Sequence, residues 1–271
     1  MGWLVLLAAA LPLPEARAVN VLMQHNDLER TGAYTSETTL TTASVNTNTF
    51  GQLFIDSVDG QVYAQPLYVE SLSLSNGTHN VVFVCTENNS VYALDADMGG
   101  VTYWYTNLGT PYTSGCGDLT PVVGITGTPV IDLSSGTLYV DTKLASGPAH
   151  KLHALDIATG SEKFKGPVTI SAANFSASVQ HQRPGLLLLN GVVYVAFGSH
   201  CDQGSYHGFV LGYNATNLTQ QVSAFNVTPN GSMGAVWSGG MAPAADASGN
   251  IYIMTGNGTL MATPTLTSAS R

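Results

Sequence analysis

GTLYVDTKLASGPAHKLHALDIATGSEKF spans residues 136–164. Two runs of alternating apolar residues, TLYVDTK and KLHALDI, flank a Ser-Gly-Pro break, and the second ends in Asp156-Ile-Ala-Thr-Gly160, a turn. This strand-turn-strand phrase recurs as VVFVCTENNSVYALDADMGGVTYW at 81–104 and, more loosely, as GVVYVAFGSHCDQGSYHGFVLGYNATNLTQQVSAF at 191–225. A last copy, GNIYIMTGNGTL at 249–260, stops where its partner strands should begin. An aromatic sits at the heart of each first strand, at Phe83, Tyr139, Tyr194 and Tyr252, in steps of 56, 55 and 58 residues. Such a period means stacked units, none of which buries its own faces alone.

Each period reads as a four-stranded meander. In the first, QVYAQPLYV opens the unit, with Pro66 tolerable only near its start or on an edge, and SNGTH turns into NVVFVCTE, NSVYALDA and VTYWYTNLG. The second runs GTPVIDLSSG, TLYVDTK, KLHALDIATG and EKFKGPVTI; the third runs RPGLLLLNG, VVYVAFGS, GFVLGYN and QVSAFNV. Apolar residues on both faces, such as Val82, Val84, Tyr92 and Leu94, suit sheets covered on both sides. The expectation is an all-β chain, a β-propeller of four-stranded antiparallel blades with about three and a half blades present and the ring incomplete. The blades span about 60–110, 125–170, 183–228 and 239–271, after a lead-in at 19–59. A solenoid needs shorter rungs, and a sandwich leaves the period unexplained. No apolar stripe at helical spacing stands out beyond residue 18.

Residues 1–18, MGWLVLLAAALPLPEARA, have the layout of a secretory signal peptide: an apolar run, then Ala-Arg-Ala as a cleavage site. A membrane anchor is the competing reading. Secretion or periplasmic export is the expectation, with no membrane span in the mature chain. Charged residues are only 9% of the chain, the net charge is −9 and the pI is near 5.0. An acidic surface without basic clusters argues against nucleic acid and favours a neutral small polar molecule or a glycan as partner.

Of three cysteines, Cys85 lies in the apolar strand VVFVC and reads as core packing. Cys116 and Cys201 sit in polar, Gly-flanked loops and are candidate disulfide partners in an exported protein, free thiols being the alternative. No C-x-x-C or clustered Cys/His spacing marks a metal site. Sequons occur at Asn76, Asn88, Asn174, Asn214, Asn217, Asn226, Asn230 and Asn257; in a eukaryotic host some would carry glycans.

The run Ala154-Leu-Asp-Ile-Ala-Thr-Gly-Ser-Glu-Lys-Phe164 resembles the A-x-D-x-x-T-G-x-x-x-W signature of quinoprotein-type propeller repeats, with Phe in place of Trp. Ala93-Leu94-Asp95 with Gly99 or Gly100 and Trp104 is a second copy, stretched by one residue, and Leu211-Gly-Tyr-Asn214 keeps the strand with Asn for Asp. The stretches HNDLERTG, VDGQVYAQPLYV, CGDLTPVVGITGTPVID, QRPGLLLLNGVVYVAFGSHCD and MTGNGT are similar to secreted bacterial pyrroloquinoline-quinone-like propellers. The resemblance implies a quinone, pyrroloquinoline quinone with calcium, held over the central axis by residues from many blades. Those rings have more blades than this chain supplies, which reads as a fragment whose remaining blades, or a second chain, close the ring.

Three polar clusters are candidates for chemistry: His25, Asn26, Asp27 and Arg30; Gln180, His181, Gln182 and Arg183; and His200, Cys201, Asp202 and His207. Loops at one rim of a propeller point toward the axis, so these clusters are expected to share a pocket where His and Asp serve in acid/base chemistry. The competing reading is structural: His25, Asp27 and Arg30 pin the lead-in to the ring through a salt bridge and turn bonds, Arg183 holds a loop carbonyl, and the histidines satisfy backbone groups. No nucleophile elbow, P-loop or dinucleotide fingerprint is present. Function therefore stands between a quinone-dependent oxidoreductase for alcohols or sugars, a non-catalytic glycan- or protein-binding scaffold, and an inactive fragment.

Overall fold

The computed structural model describes residues 19–259; residues 1–18, on which the signal-peptide reading falls, and residues 260–271 lie outside the described residues. The period-2 runs become strands whose alternate side chains face opposite sides of a sheet. Leu67–Leu74 (β1), Gly77–Cys85 (β2), Ser90–Asp95 (β3) and Thr102–Asn107 (β4) pair in that order as an antiparallel meander. Val130–Asp132 (β5), Thr137–Leu144 (β6), Ala149–Asp156 (β7) and Val168–Thr169 (β8) repeat it. In the third blade Gln180–His181 (β9) pairs with the end of Val192–Ser199 (β11), adding a fifth strand to Leu187–Leu189 (β10), β11, Phe209–Asn214 (β12) and Gln221–Asn226 (β13). Beyond these, Ser232–Met233 (β14) pairs with Gly258–Thr259 (β17), and Ala244–Ala245 (β15) with Ile251–Tyr252 (β16). The chain is an all-β propeller segment with an open ring, and no α-helix occurs among the described residues.

The cores lie between blades. β6 is buried on both faces: Leu138 and Val140 pack with Leu67, Phe83 and Val91 of the first blade, while Tyr139 packs with Val193, Val195 and Phe209 of the third. Each fully buried side chain of this size contributes about 1.5–3 kcal/mol. The Tyr139 hydroxyl donates to Ala215 O at 2.9 Å, which ties the second blade to the third.

The signature turns are Asx-turns. Asp95 Oδ1 accepts from the amides of Asp97 (2.8 Å) and Met98 (2.9 Å), and Asp156 Oδ1 accepts from Ala158 N at 3.0 Å. The Asn in the third copy does the same work, Asn214 Oδ1 accepting from Thr216 N at 2.9 Å. Gly160 adopts φ +72°, which a β-carbon disfavours. The indole of Trp104 packs against Gly160 and donates from Nε1 to Ile157 O at 2.9 Å, so the first blade's aromatic clamps the second blade's turn.

Two details differ from the sequence reading. The first strand begins at Leu67 rather than Gln61, because Pro66 has no N–H to give to a ladder, and pairing starts only after it. It runs on to Leu74 through a register shift between Val69 and Leu72, with Ser71 at φ 52°, so SNGTH narrows to a tight turn ahead of β2.

The lead-in straps the inner strands together. Val21 and Tyr68 exchange backbone bonds at 2.9 Å, Leu22 O accepts from Ile131 N (2.8 Å), and Leu28 O accepts from Ala245 N (2.8 Å). Three blades are thereby joined by one segment.

Candidate functional site

In an antiparallel meander alternate connections fall at opposite ends. The β2–β3, β6–β7 and β11–β12 turns therefore share an end with the segments that pass from one blade to the next, and the signature turns sit at the other. At the first end the buried polar residues gather: Glu87 and Asn89 in the first of those turns, Lys143 and His150 flanking the second, His200 in the third, and His181 in β9.

A disulfide builds the centre. Cys116 and Cys201 are bonded across 85 residues of sequence, with Cα atoms 6.3 Å apart. This draws Asp118, two residues after one cysteine, to His200, the neighbour of the other: His200 Nδ1 lies 2.7 Å from Asp118 Oδ2. His181 stacks on His200 with ring centroids 4.7 Å apart and planes 13° from parallel, its Nδ1 3.7 Å from the same carboxylate oxygen. Its Nε2 lies 3.4 Å from Thr126 Oγ1, which in turn donates to Glu87 Oε2 at 3.1 Å. Burial favours the neutral rings, pushing His181 well below the ordinary imidazole range and His200 down as well. For Asp118 burial works upward, but hydrogen bonds from Ser114 and His200 and the adjacent imidazoles outweigh it and hold the carboxyl below its usual range.

Behind this trio lies a second polar layer. Burial pushes the Glu87 carboxyl up to about 7, although Gly124 N donates to Oε2 at 2.6 Å; Oε1 is buried without a partner. The Lys143 ammonium donates to Ala177 O and to Gln180 O at 2.9 Å and lies 4.8 Å from the Tyr112 ring, and burial lowers it to about 8. Asp141 and His150 meet at 2.7 Å with both side chains sealed from water; burial raises the acid and lowers the base, so the pair sits neutral.

The trio opens on a cleft of about 430 Å³ lined by Asp118, Leu119, His181, Arg183, Cys201, Asp202, Trp237, Gly239 and Gly240. Two of the three sequence clusters thus converge: His181 and Arg183 of the second, Cys201 and Asp202 of the third. His200 stands behind them, 6% exposed. Cys201 and Asp202 both hold left-handed backbone, φ 51° and 50°, a conformation of the kind that gathers at functional sites. The Asp202 carboxylate accepts from Tyr206 Oη (2.6 Å) and Asn257 Nδ2 (3.2 Å).

The remaining candidates lie elsewhere. His207 is bonded to Thr228 Oγ1 at 3.1 Å, outside the cleft. Arg30 is 4% exposed and donates to the carbonyls of Gln24 (2.9 Å), Asp27 (3.2 Å) and Pro243 (3.0 Å), while Asp27 accepts from Thr31. Arg30 anchors the lead-in through carbonyls. His25 Nδ1 lies 3.4 Å from Arg30 O within the same turn. Sequence reasoning missed Asp118, Glu87, Lys143, the Asp141–His150 pair and Trp237. Of these Asp118 had a signal: once Cys116 and Cys201 are paired, their flanking residues must meet.

Comparison with protein-family models and with curated proteins gives no match. Among solved structures, the chain is similar to the quinohemoprotein alcohol dehydrogenase of Comamonas testosteroni, with 17% identity and a TM-score of 0.64 over 88% of this chain and 35% of that one. It is also similar to a quinohemoprotein alcohol dehydrogenase of Pseudomonas putida HK5, with 20% identity and a TM-score of 0.51 over 75% of this chain and 29% of that one. The chain spans about a third of the length of these structures. The likeness shows the fold: a quinoprotein-like propeller.

That fold family implies a quinone with calcium. Calcium takes about six to eight oxygen ligands. The groups at this cleft are the imidazoles of His181 and His200 and the carboxylates of Asp118 and Asp202. This nitrogen-containing set does not fit calcium, and no step is routed through the calcium–quinone pair.

Proposed function

We propose that the protein is an exported quinoprotein-like propeller of oxidoreductase type, acting on the hydroxyl of an alcohol or sugar when its ring is completed by further blades or a second chain. The observation that carries this reading is Asp202, a carboxylate fixed by Tyr206 and Asn257 in left-handed backbone and lining one cleft with Arg183 and Trp237. Oxidation of an alcohol to its carbonyl releases the hydroxyl proton and, from carbon, a hydride. Asp202 takes the proton, the Arg183 guanidinium favours the developing alkoxide, and the Trp237 face orients the carbon skeleton. The hydride passes to a diffusible two-electron acceptor, in the assay the dye, which these residues bind no part of. The fold shared with two alcohol dehydrogenases supports the class of reaction and no particular substrate.

The test is turnover of a panel of primary alcohols and aldoses by the complete-ring protein with an artificial dye acceptor, in the presence and absence of pyrroloquinoline quinone and calcium. Substrate-dependent dye reduction that falls about a hundredfold in Asp202→Asn is expected. Absence of turnover under every condition sinks the reading.

A second reading draws on the nitrogen-containing donor set, which differs from what the fold family implies. As a binding scaffold, the cleft would hold a glycan through the Trp237 ring and the Arg183 and Asp202 side chains. Glycan-array binding that is lost in Trp237→Ala, with no dye reduction, is the result that favours it.

A further inference from the structure

We propose that Asp118, His181 and His200 bind one divalent first-row transition-metal ion of the zinc, cobalt or copper class, leaving a coordination position that faces the cleft. The three side chains come from the β4–β5 connection, β9 and the β11–β12 turn, and each offers a ligand atom within 4.8 Å of the others.

The hydrogen-bond chain argues for a cation rather than a packed histidine pair. Thr126 Oγ1 spends its proton on Glu87 Oε2, so toward His181 it is an acceptor, which places the ring proton on Nε2. His181 Nδ1 then carries a lone pair. It is buried, has no hydrogen-bond partner, and faces the Asp118 carboxylate at 3.7 Å. Two electron-pair donors confront each other with no proton between them, an arrangement that a bound cation satisfies at once. His200 Nδ1 donates to the same oxygen at 2.7 Å, a proton that an incoming ion displaces to solvent, and its Nε2 is also buried without a partner.

The donor set selects the metal. Two imidazoles with one carboxylate suit zinc, cobalt, nickel and copper, whereas calcium and magnesium want oxygen. The cations Lys143 and Arg183 nearby count further against a hard ion held by charge alone and are tolerated by one held through neutral imidazoles. Outer partners are in place: Thr126 and Glu87 orient His181, and Ser114 bonds Asp118. Asp118 and His181 line the cleft, which supplies the entry path. Three protein ligands with an open position form the pattern of a catalytic rather than a structural metal site. This proposal does not rest on the redox reading, because its readout is the metal.

The experiment is a titration of chelator-treated protein with Co²⁺ and Zn²⁺, followed by visible absorption and calorimetry, without reductant. Reductant is left out because the sulfurs of Cys116 and Cys201 lie beside the Asp118 carboxylate and would bind metal as free thiolates. One Co²⁺ per chain with a visible band from nitrogen–oxygen ligation, displaced by Zn²⁺ and untouched by excess Ca²⁺, is expected. His181→Ala and Asp118→Asn weaken binding at least about a hundredfold, and Thr126→Val, which only loosens the ring, about tenfold. Wild-type protein that takes up no stoichiometric Co²⁺ or Zn²⁺ overturns the proposal whatever the variants do. So does unchanged affinity in a folded His181→Ala/His200→Ala double variant.

Discussion

At the scale of residues, the informative groups are those that burial and pairing put out of their ordinary state. Glu87 is the simplest to test. Its folded carboxyl is raised from 4.5 to about 7, so the fold prefers the neutral acid. Stability from this group is full below pH 4.5, is lost as pH rises toward 7, and stays low above it, a span of about 3 kcal/mol. Glu87→Gln keeps acceptors for Gly124 N and Thr126 Oγ1, and its urea midpoint is expected to stay flat from pH 5 to pH 8 and exceed the wild type at the upper end. A variant profile parallel to wild type contradicts the assignment. The metal trio shows why sites of this kind resist reading from sequence. Asp118, His181 and His200 belong to the β4–β5 connection, β9 and the β11–β12 turn, and no local spacing links them. Only the Cys116–Cys201 pairing, left open against free thiols in the sequence, carries the information that Asp118 and His200 are neighbours.

At the scale of elements, the legible part was what repeats. The Asp/Asn turns and the strand order follow from local chemistry that the blades restate, and Asn214 in the degenerate third copy makes the same Asx bond as Asp156. Of the repeated aromatics Phe83 and Tyr139 are buried, Tyr194 is half-buried and Tyr252 is exposed. Less legible was Pro66, which delayed β1, and β9, whose Gln180 and His181 looked like loop residues until the end of β11 paired with them. The clamp between blades gives a direct prediction. Trp104→Ala removes a half-buried indole and the bond to Ile157 O, and is expected to cost about 3 kcal/mol in a denaturant titration. Tyr139→Phe leaves the packing intact and strips one buried bond to Ala215 O, so about 1–2 kcal/mol is expected there. Equal costs for the two would mean that Trp104 contributes no packing across the blade interface.

At the scale of the whole molecule, the two ends of the sheets have different jobs. The signature turns that reveal the fold family sit at one end and hold blades together; the disulfide, the buried acids and bases and the cleft sit at the other. A repeat motif therefore announced the architecture while saying little about chemistry, because the polar residues at the other end come from connections that do not repeat. The disulfide also serves the whole: it ties the connection between the first two blades to the third. Breaking it in Cys116→Ser/Cys201→Ser frees a long loop in the unfolded chain and is expected to cost about 2–4 kcal/mol, read as a lower urea midpoint. An unchanged midpoint contradicts a stabilising role for the cross-link.

If function resides at the end that carries the cleft, two carboxylates, one at each end, must answer differently to the same substitution. Dye-coupled alcohol turnover in the complete-ring protein is expected to fall about a hundredfold in Asp202→Asn and to stay near wild type in Asp156→Asn, whose turn an Asn also closes. Turnover that survives Asp202→Asn, or fails in a folded Asp156→Asn protein, contradicts placing function at that end.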